Sequence, residues 1–130
     1  NGFGLVRLPG SDRPPEPVLE IAGRCDAGPV VVGQHIAMAI RDMGLLLLSA
    51  SGERCLVPFE GEATDLVTDG ARYLAISLAG RPHLLVDVLR REPWGLIPAG
   101  SRSQMRPLFA SDRILVPGAL GTVKTYQLAR

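Results

Sequence analysis

Gly44-Leu45-Leu46-Leu47-Leu48 is a glycine followed by four leucines, and three further glycines head apolar segments of the same cast. These are Gly4-Leu5-Val6-Arg7-Leu8, Gly80-Arg81-Pro82-His83-Leu84-Leu85-Val86 and Gly121-Thr122-Val123-Lys124-Thr125-Tyr126-Gln127-Leu128. The glycines are separated by 40, 36 and 41 residues (44−4, 80−44, 121−80). Seven or eight residues before each of the last three lies a second apolar run, at 36–40, 73–76 and 114–116. Runs of this length suit strands and are too short for stable helices, and a glycine at the entry supplies turn geometry. A self-similar period near 40 residues reads as one supersecondary unit, repeated, whose apolar faces need neighbouring units to cover them.

Outward from Gly44, the first complete unit reads as strands at 30–32, 36–40, 45–48 and 55–59, with turns at Gly33-Gln34, at 42–44 and at Ser51-Gly52. The next unit follows with strands at 64–68, 73–78, 84–89 and 94–97. Its first turn, Asp69-Gly70, is the strongest hairpin signal in the chain, because glycine accepts the positive φ of a tight primed turn. A third unit supplies 107–110, 114–116 and 122–128, and two strands at 3–8 and 18–21 precede the first around a proline-rich loop. Gly28-Pro29 reads as punctuation before the first unit. The count is two, four, four and three strands, in units of about 1–28, 29–62, 63–100 and 101–130. The expected fold is all-β: repeated four-stranded antiparallel meanders, propeller-like, with a small β-sandwich or barrel as the alternative.

Two segments compete with this assignment. Ile36-Ala37-Met38-Ala39-Ile40 contains helix-friendly residues, but β-branched Val30, Val31 and Val32 precede it, and Gly33 and Gly44 bracket a span short for a helix. Residues 87–92 leave room for one helical turn before Pro93.

Composition narrows the function classes. Fifteen Gly and eleven Pro scattered between apolar runs suit many short strands joined by turns. Fourteen basic against thirteen acidic residues leave a net charge of +1, which gives no electrostatic footprint for nucleic acid or an anionic membrane. No apolar stretch approaches the ~18 residues needed to span a bilayer as a helix. Cys25 and Cys55 form no Cys-x-x-Cys pair and read as free thiols, with a mutual disulfide as the alternative.

Laid out in units, the chain resembles β-propeller blades of the quinoprotein-like and WD40-like kind. The resemblance rests on Gly44-Leu45-Leu46-Leu47-Leu48-Ser49-Ala50-Ser51-Gly52-Glu53 and on 121–128, which look like third strands with their turns. It implies sheets arranged radially around an axis. The departures matter as much. Leu56 stands where quinoprotein blades carry a docking Trp, Ser49 takes the usual Asp position, and no Gly-His or Trp-Asp dipeptide occurs. Quinone binding and dehydrogenase activity are therefore not carried over, and no cofactor is expected. Because the chain opens at Asn1 in mid-repeat and offers about three blades, a segment of a larger propeller is expected, or copies that complete a ring.

Residue chemistry points to binding. His35 and His83 lack metal-ligand spacing and read as turn or surface histidines, so no metal site is expected. Asp42, Asp69, Asp87 and Asp112 read as turn formers rather than a ring of ligands. No Gly-x-Ser-x-Gly elbow or phosphate loop occurs, and no catalytic residue is assigned. Trp94, in Glu92-Pro93-Trp94-Gly95, and Tyr126 are the candidate ligand-stacking aromatics, against packing at a blade interface. The expected function is a non-catalytic interaction or ligand-binding module whose partner is another protein or copies of itself. A self-assembling lectin-like oligomer and a catalytic propeller enzyme are the alternatives.

Overall fold

Thirteen β-strands follow one another along residues 2–7, 16–98, 106–117 and 121–128, the parts of the chain that the computed structural model describes. An opening hairpin pairs β1 (Gly2–Arg7) with β2 (Glu16–Ala22). The first meander contains β3 (Cys25–Val32), β4 (His35–Ile40), β5 (Gly44–Ser49) and β6 (Arg54–Val57). The second contains β7 (Ala63–Thr68), β8 (Tyr73–Leu78), β9 (His83–Asp87) and β10 (Glu92–Ile97). The third contains β11 (Leu108–Ala110), β12 (Arg113–Pro117) and β13 (Val123–Gln127). All pairings are antiparallel between consecutive strands, so the fold is all-β, and among the described residues the meanders form separate four-, four- and three-stranded sheets with no closed barrel. Among the described residues no helix is long and apolar enough to cross a membrane.

Strand count and order match the glycine spacing, while several boundaries move. β3 starts at Cys25, not at 30, and carries Gly28-Pro29 inside it. Two register shifts absorb those residues, between Cys25 and Ala27 and between Ala27 and Val30. Gly28 has φ +96°, and a Cβ there would fall 2.9 Å from the Ala37 carbonyl oxygen and 3.1 Å from Leu66 Cδ1. That close approach explains the glycine better than punctuation does. The segment before Pro93 forms a turn and no helical turn, and β10 begins at Glu92. β2 likewise takes in Glu16 and Pro17, expected as loop. The rest of that loop, with Pro14, lies outside the described residues, as does Leu8, expected as the end of the first strand.

Residues 36–40 form a strand because tertiary burial outweighs helix propensity there. Ala37 and Ala39 join Leu45, Leu47 and Val57 in one cluster with Leu66, Leu74, Ile76, Val86 and Val88 of the second meander. On the opposite face Met38, Ile40, Leu46 and Leu48 form another buried cluster. β8 alternates in the same way. Leu74 and Ile76 face the first meander, whereas Tyr73 and Ala75 join Leu85, Ile97, Ile114, Val116 and Leu128 between the second and third. The first strands adjoin, β3 beside β7 and β7 beside β11. The Gly33 N–H donates to the Gly70 carbonyl at 2.9 Å, tying equivalent turns of neighbouring meanders.

The Asp69-Gly70 turn is wider than a two-residue primed turn. Four residues, 69–72, separate β7 from β8. The Asp69 side chain organises them: Oδ1 accepts the N–H groups of Ala71, Arg72 and Tyr73 at 2.9, 2.8 and 3.0 Å. Gly70 sits at φ +81° with open space around its Cβ position, so a substitution there is penalised by backbone strain alone. Gly70→Val should cost about 1–2 kcal/mol. Asp69→Ala should also cost about 1–2 kcal/mol, and Asp69→Asn, which keeps an acceptor, should cost less. Urea unfolding midpoints check both, and unchanged midpoints would contradict this account of the turn.

Candidate binding site at the aromatic rim

Trp94 sits where the β9–β10 ladder slips, in the register shift between Pro93 and Gly95. A bulged residue is released from strict alternation, so its side chain can be re-aimed. The Trp94 ring stacks on Tyr73, with centroids 4.8 Å apart and planes at 21°. Tyr73 is 2% exposed and Trp94 37%, so the pair runs from the core to the surface. Such a geometry offers one free aromatic face while anchoring the other.

The base of the stack is fixed electrostatically. Arg72 lies over the Tyr73 ring, 5.3 Å from its centroid. Its guanidinium is bound in a fork by Asp87, with Nε–Oδ1 at 3.1 Å and Nη2–Oδ2 at 2.8 Å. Asp87 is directly opposite Tyr73 in the ladder and also accepts the N–H groups of Leu89 at 3.1 Å and Arg90 at 3.3 Å. The Arg72 hydrogen bond holds the Asp87 carboxyl below the ordinary aspartate range, outweighing burial, and Asp87 in turn raises Arg72. Asp87 thus has the turn-forming role expected of it, with a second role beneath the aromatic pair.

Tyr126 is half-buried on β13 and packs against the cluster that contains Tyr73. Both candidate aromatics therefore border one cluster between the second and third meanders, Trp94 through its stack on Tyr73 and Tyr126 by packing against the cluster. Tyr73 and Arg72 were not singled out from sequence, and Asp87 was read only as a turn former. Arg72 and Asp87 are fifteen residues apart, and only the β8–β9 register brings them together.

The remaining candidates do not converge on this rim. His83, expected at a turn or the surface, is 7% exposed at the start of β9, and burial lowers its imidazole pKa. Its Nδ1 and the buried Ser77 Oγ each lack a hydrogen-bond partner, so the two do not form an activated nucleophile–base pair. Asp42 occupies the β4–β5 turn at φ +64°. Beside it a cleft of about 580 Å³ is lined by Asp26, Arg41, Phe59 and Glu62. There Arg41 is engaged by Asp26 at 3.2 Å and Glu62 at 3.0 Å. Both cysteines are free thiols, and burial raises the Cys25 pKa, the opposite of what a reactive thiolate needs. Among the described residues no three His, Cys, Asp or Glu side chains group as metal ligands.

No protein family, curated protein or solved structure matches the chain. The arrangement itself offers a partly exposed aromatic stack and a braced guanidinium.

Because the folded Asp87 pKa is depressed, its stabilisation is present above the ordinary aspartate range and is lost as pH falls through the folded value. Asp87→Asn should therefore lower the thermal midpoint at pH 7 and narrow its drop between pH 7 and pH 3. An identical acid profile in the variant would remove Asp87 from the brace.

Proposed function

We propose that the chain is a non-catalytic interaction or ligand-binding module built from propeller-like blades and working within a larger protein or assembly. The observation that carries this reading is the face-to-face stacking of consecutive meanders through adjoining first strands, β3, β7 and β11. In a propeller, successive first strands adjoin around an axis and the sheets fan outward from it. The far face of the third meander supports the same reading. Leu108 and Val123 are 57% and 58% exposed there, and Leu115 and Pro117 are half-buried. In the second meander the corresponding face is covered by its successor. An apolar sheet face of this kind is suited to receiving a further sheet.

A catalytic propeller needs convergent acids, bases or nucleophiles. Asp69 and Asp87 instead bind backbone amides and, for Asp87, Arg72. The rim around Trp94 and Tyr126 fits recognition of an extended or planar ligand better than bond-making chemistry. A lectin-like ring of copies is distinguished by its mass.

Light scattering tests the stack. The purified chain should associate with rising concentration, and Leu108→Glu, which places a charge on the outward face, should suppress that association. A wild-type chain that stays at 13.9 kDa at high concentration, with no effect of the variant, would contradict the proposal.

A further inference from the structure

The seam between the second and third meanders carries a polar row that the seam between the first and second lacks. Equivalent backbone bonds align the two meanders. Ala50 N–H donates to the Gln34 carbonyl at 3.0 Å and Val88 N–H to the Arg72 carbonyl at 2.9 Å, so corresponding residues lie 38 apart (72−34, 88−50). Across the first meander the ladder lines up Ala27, Ala39, Leu45 and Val57, all buried against the second. The same row of the second meander is Asp65, Ser77, His83 and Ile97. Ser77 comes opposite His83 when the unbroken register from 73/87 to 76/84 continues by one pair. Alternation puts this row on the face of Tyr73, Ala75 and Leu85, toward the third meander.

The row is not satisfied from within. Ser77 and His83 are 8% and 7% exposed, and neither Ser77 Oγ nor His83 Nδ1 has a hydrogen-bond partner among the described residues. An Ala–Leu pair fills the matching place in the first seam without that penalty, so stacking does not require polar groups there. The Val88–Arg72 bond also makes 77/83 a non-hydrogen-bonded pair, in which cross-strand side chains come closest. The His83 imidazole therefore stands beside a neutral hydroxyl.

A neutral imidazole is tolerated at this place, and burial lowers its pKa. An imidazolium finds no free carboxylate beside it among the described residues. Asp65 lies one strand beyond Ser77 and is taken by Arg106 at 2.8 Å and by the Leu66 N–H at 2.9 Å. Asp87 shares the face but lies four residues along β9, gripped by Arg72, with Glu92 opposite it. Arg81, in the turn before β9, is drawn toward Glu60. The charged groups that the third meander brings to this seam are cations. Arg106 bonds Asp65, and Lys124 pairs with buried Val116 on the face that also holds the phenol of Tyr126. A proton on His83 thus adds positive charge to an apolar seam already edged by two cations.

We propose that this seam is an acid-operated joint: protonation of His83 loosens the docking of the third meander on the second before the first seam yields. Opening uncovers Tyr73, Ile114 and Val116, so the chain presents in acid an apolar face that is closed at neutral pH. The sign follows from linkage. Because the folded His83 pKa is depressed, the closed seam loses stability as pH falls below the ordinary histidine value of about 6.5, and the loss levels out below the folded value. Asp87 acts in a lower window, beneath the ordinary aspartate range. The joint operates in the chain alone, whether or not further blades complete a ring.

Residue-resolved amide exchange on the dilute wild-type chain, expressed as protection factors between about pH 7.5 and 5, tests the joint. Below about pH 6.5, β12 and β13 should lose protection by up to about tenfold per pH unit, as one proton allows, while β4 and β5 hold. Ser77→Ala combined with His83→Leu copies the Ala39–Leu45 pair of the first seam; it should raise the thermal midpoint and flatten the profile. His83→Gln, neutral throughout this range, should flatten it too, and His35→Gln should leave the wild-type profile. Circular dichroism confirms that each variant keeps its sheets. A flat wild-type profile overturns the proposal, as does a fall shared equally by β4 and β5, or one that persists when His83 is replaced. Should neither His83 variant fold, the wild-type comparison of β12 and β13 with β4 and β5 decides alone.

Discussion

The middle strands of the first two meanders are apolar on both faces, and that constraint shapes everything else. In a strand, successive side chains point to opposite sides. Leu74 and Ile76 of β8 therefore face the first meander while Tyr73 and Ala75 face the third. Ala37 and Ala39 of β4 face the second meander while Met38 and Ile40 are buried on the other side. An isolated meander of this composition would leave both apolar faces in water, at about 25 cal/mol for each Å² of apolar area. Stacking the sheets in chain order removes that penalty with short connections, and the first strands consequently adjoin.

Stacking leaves the turns to be held by polar groups. Asp69 caps the β7–β8 connection through three backbone amides, and Asp87 caps the turn after β9 through two while gripping Arg72. The second arrangement extends to the aromatic rim. Arg72 covers Tyr73, Tyr73 supports Trp94, and the bulge in β10 lets Trp94 reach that position. A rim that is rigid at its base and open at its edge suits recognition with little ordering cost.

Much of this architecture was legible in the spacing of Gly44, Gly80 and Gly121, because turns and strand-length apolar runs are local features of sequence. What stayed hidden depends on pairing. β3 reaches back to Cys25 because register shifts absorb Gly28-Pro29, which in sequence looks like a break. The Asp69 turn is wide because its side chain competes with the backbone for three N–H groups, a choice that the dipeptide Asp-Gly does not reveal. His83 looks like a loop residue after Gly80-Arg81-Pro82, yet it opens β9 and is buried. Trp94 and Tyr126 stood out by residue type alone. Tyr73, on which Trp94 stacks, is one of several apolar residues in a strand until the pairing of β8 with β9 is known.

If shared cores make the meanders one cooperative stack, a defect in one should open its neighbour. Leu74 is fully buried in the cluster between the first and second meanders, and Leu74→Ala should cost about 2–5 kcal/mol. Residue-resolved amide hydrogen exchange on that variant is the most direct measurement. The stacked account predicts that β4 and β5 lose protection together with β8 and β9. Loss confined to β7–β10, with the first meander as protected as in the wild type, would contradict it.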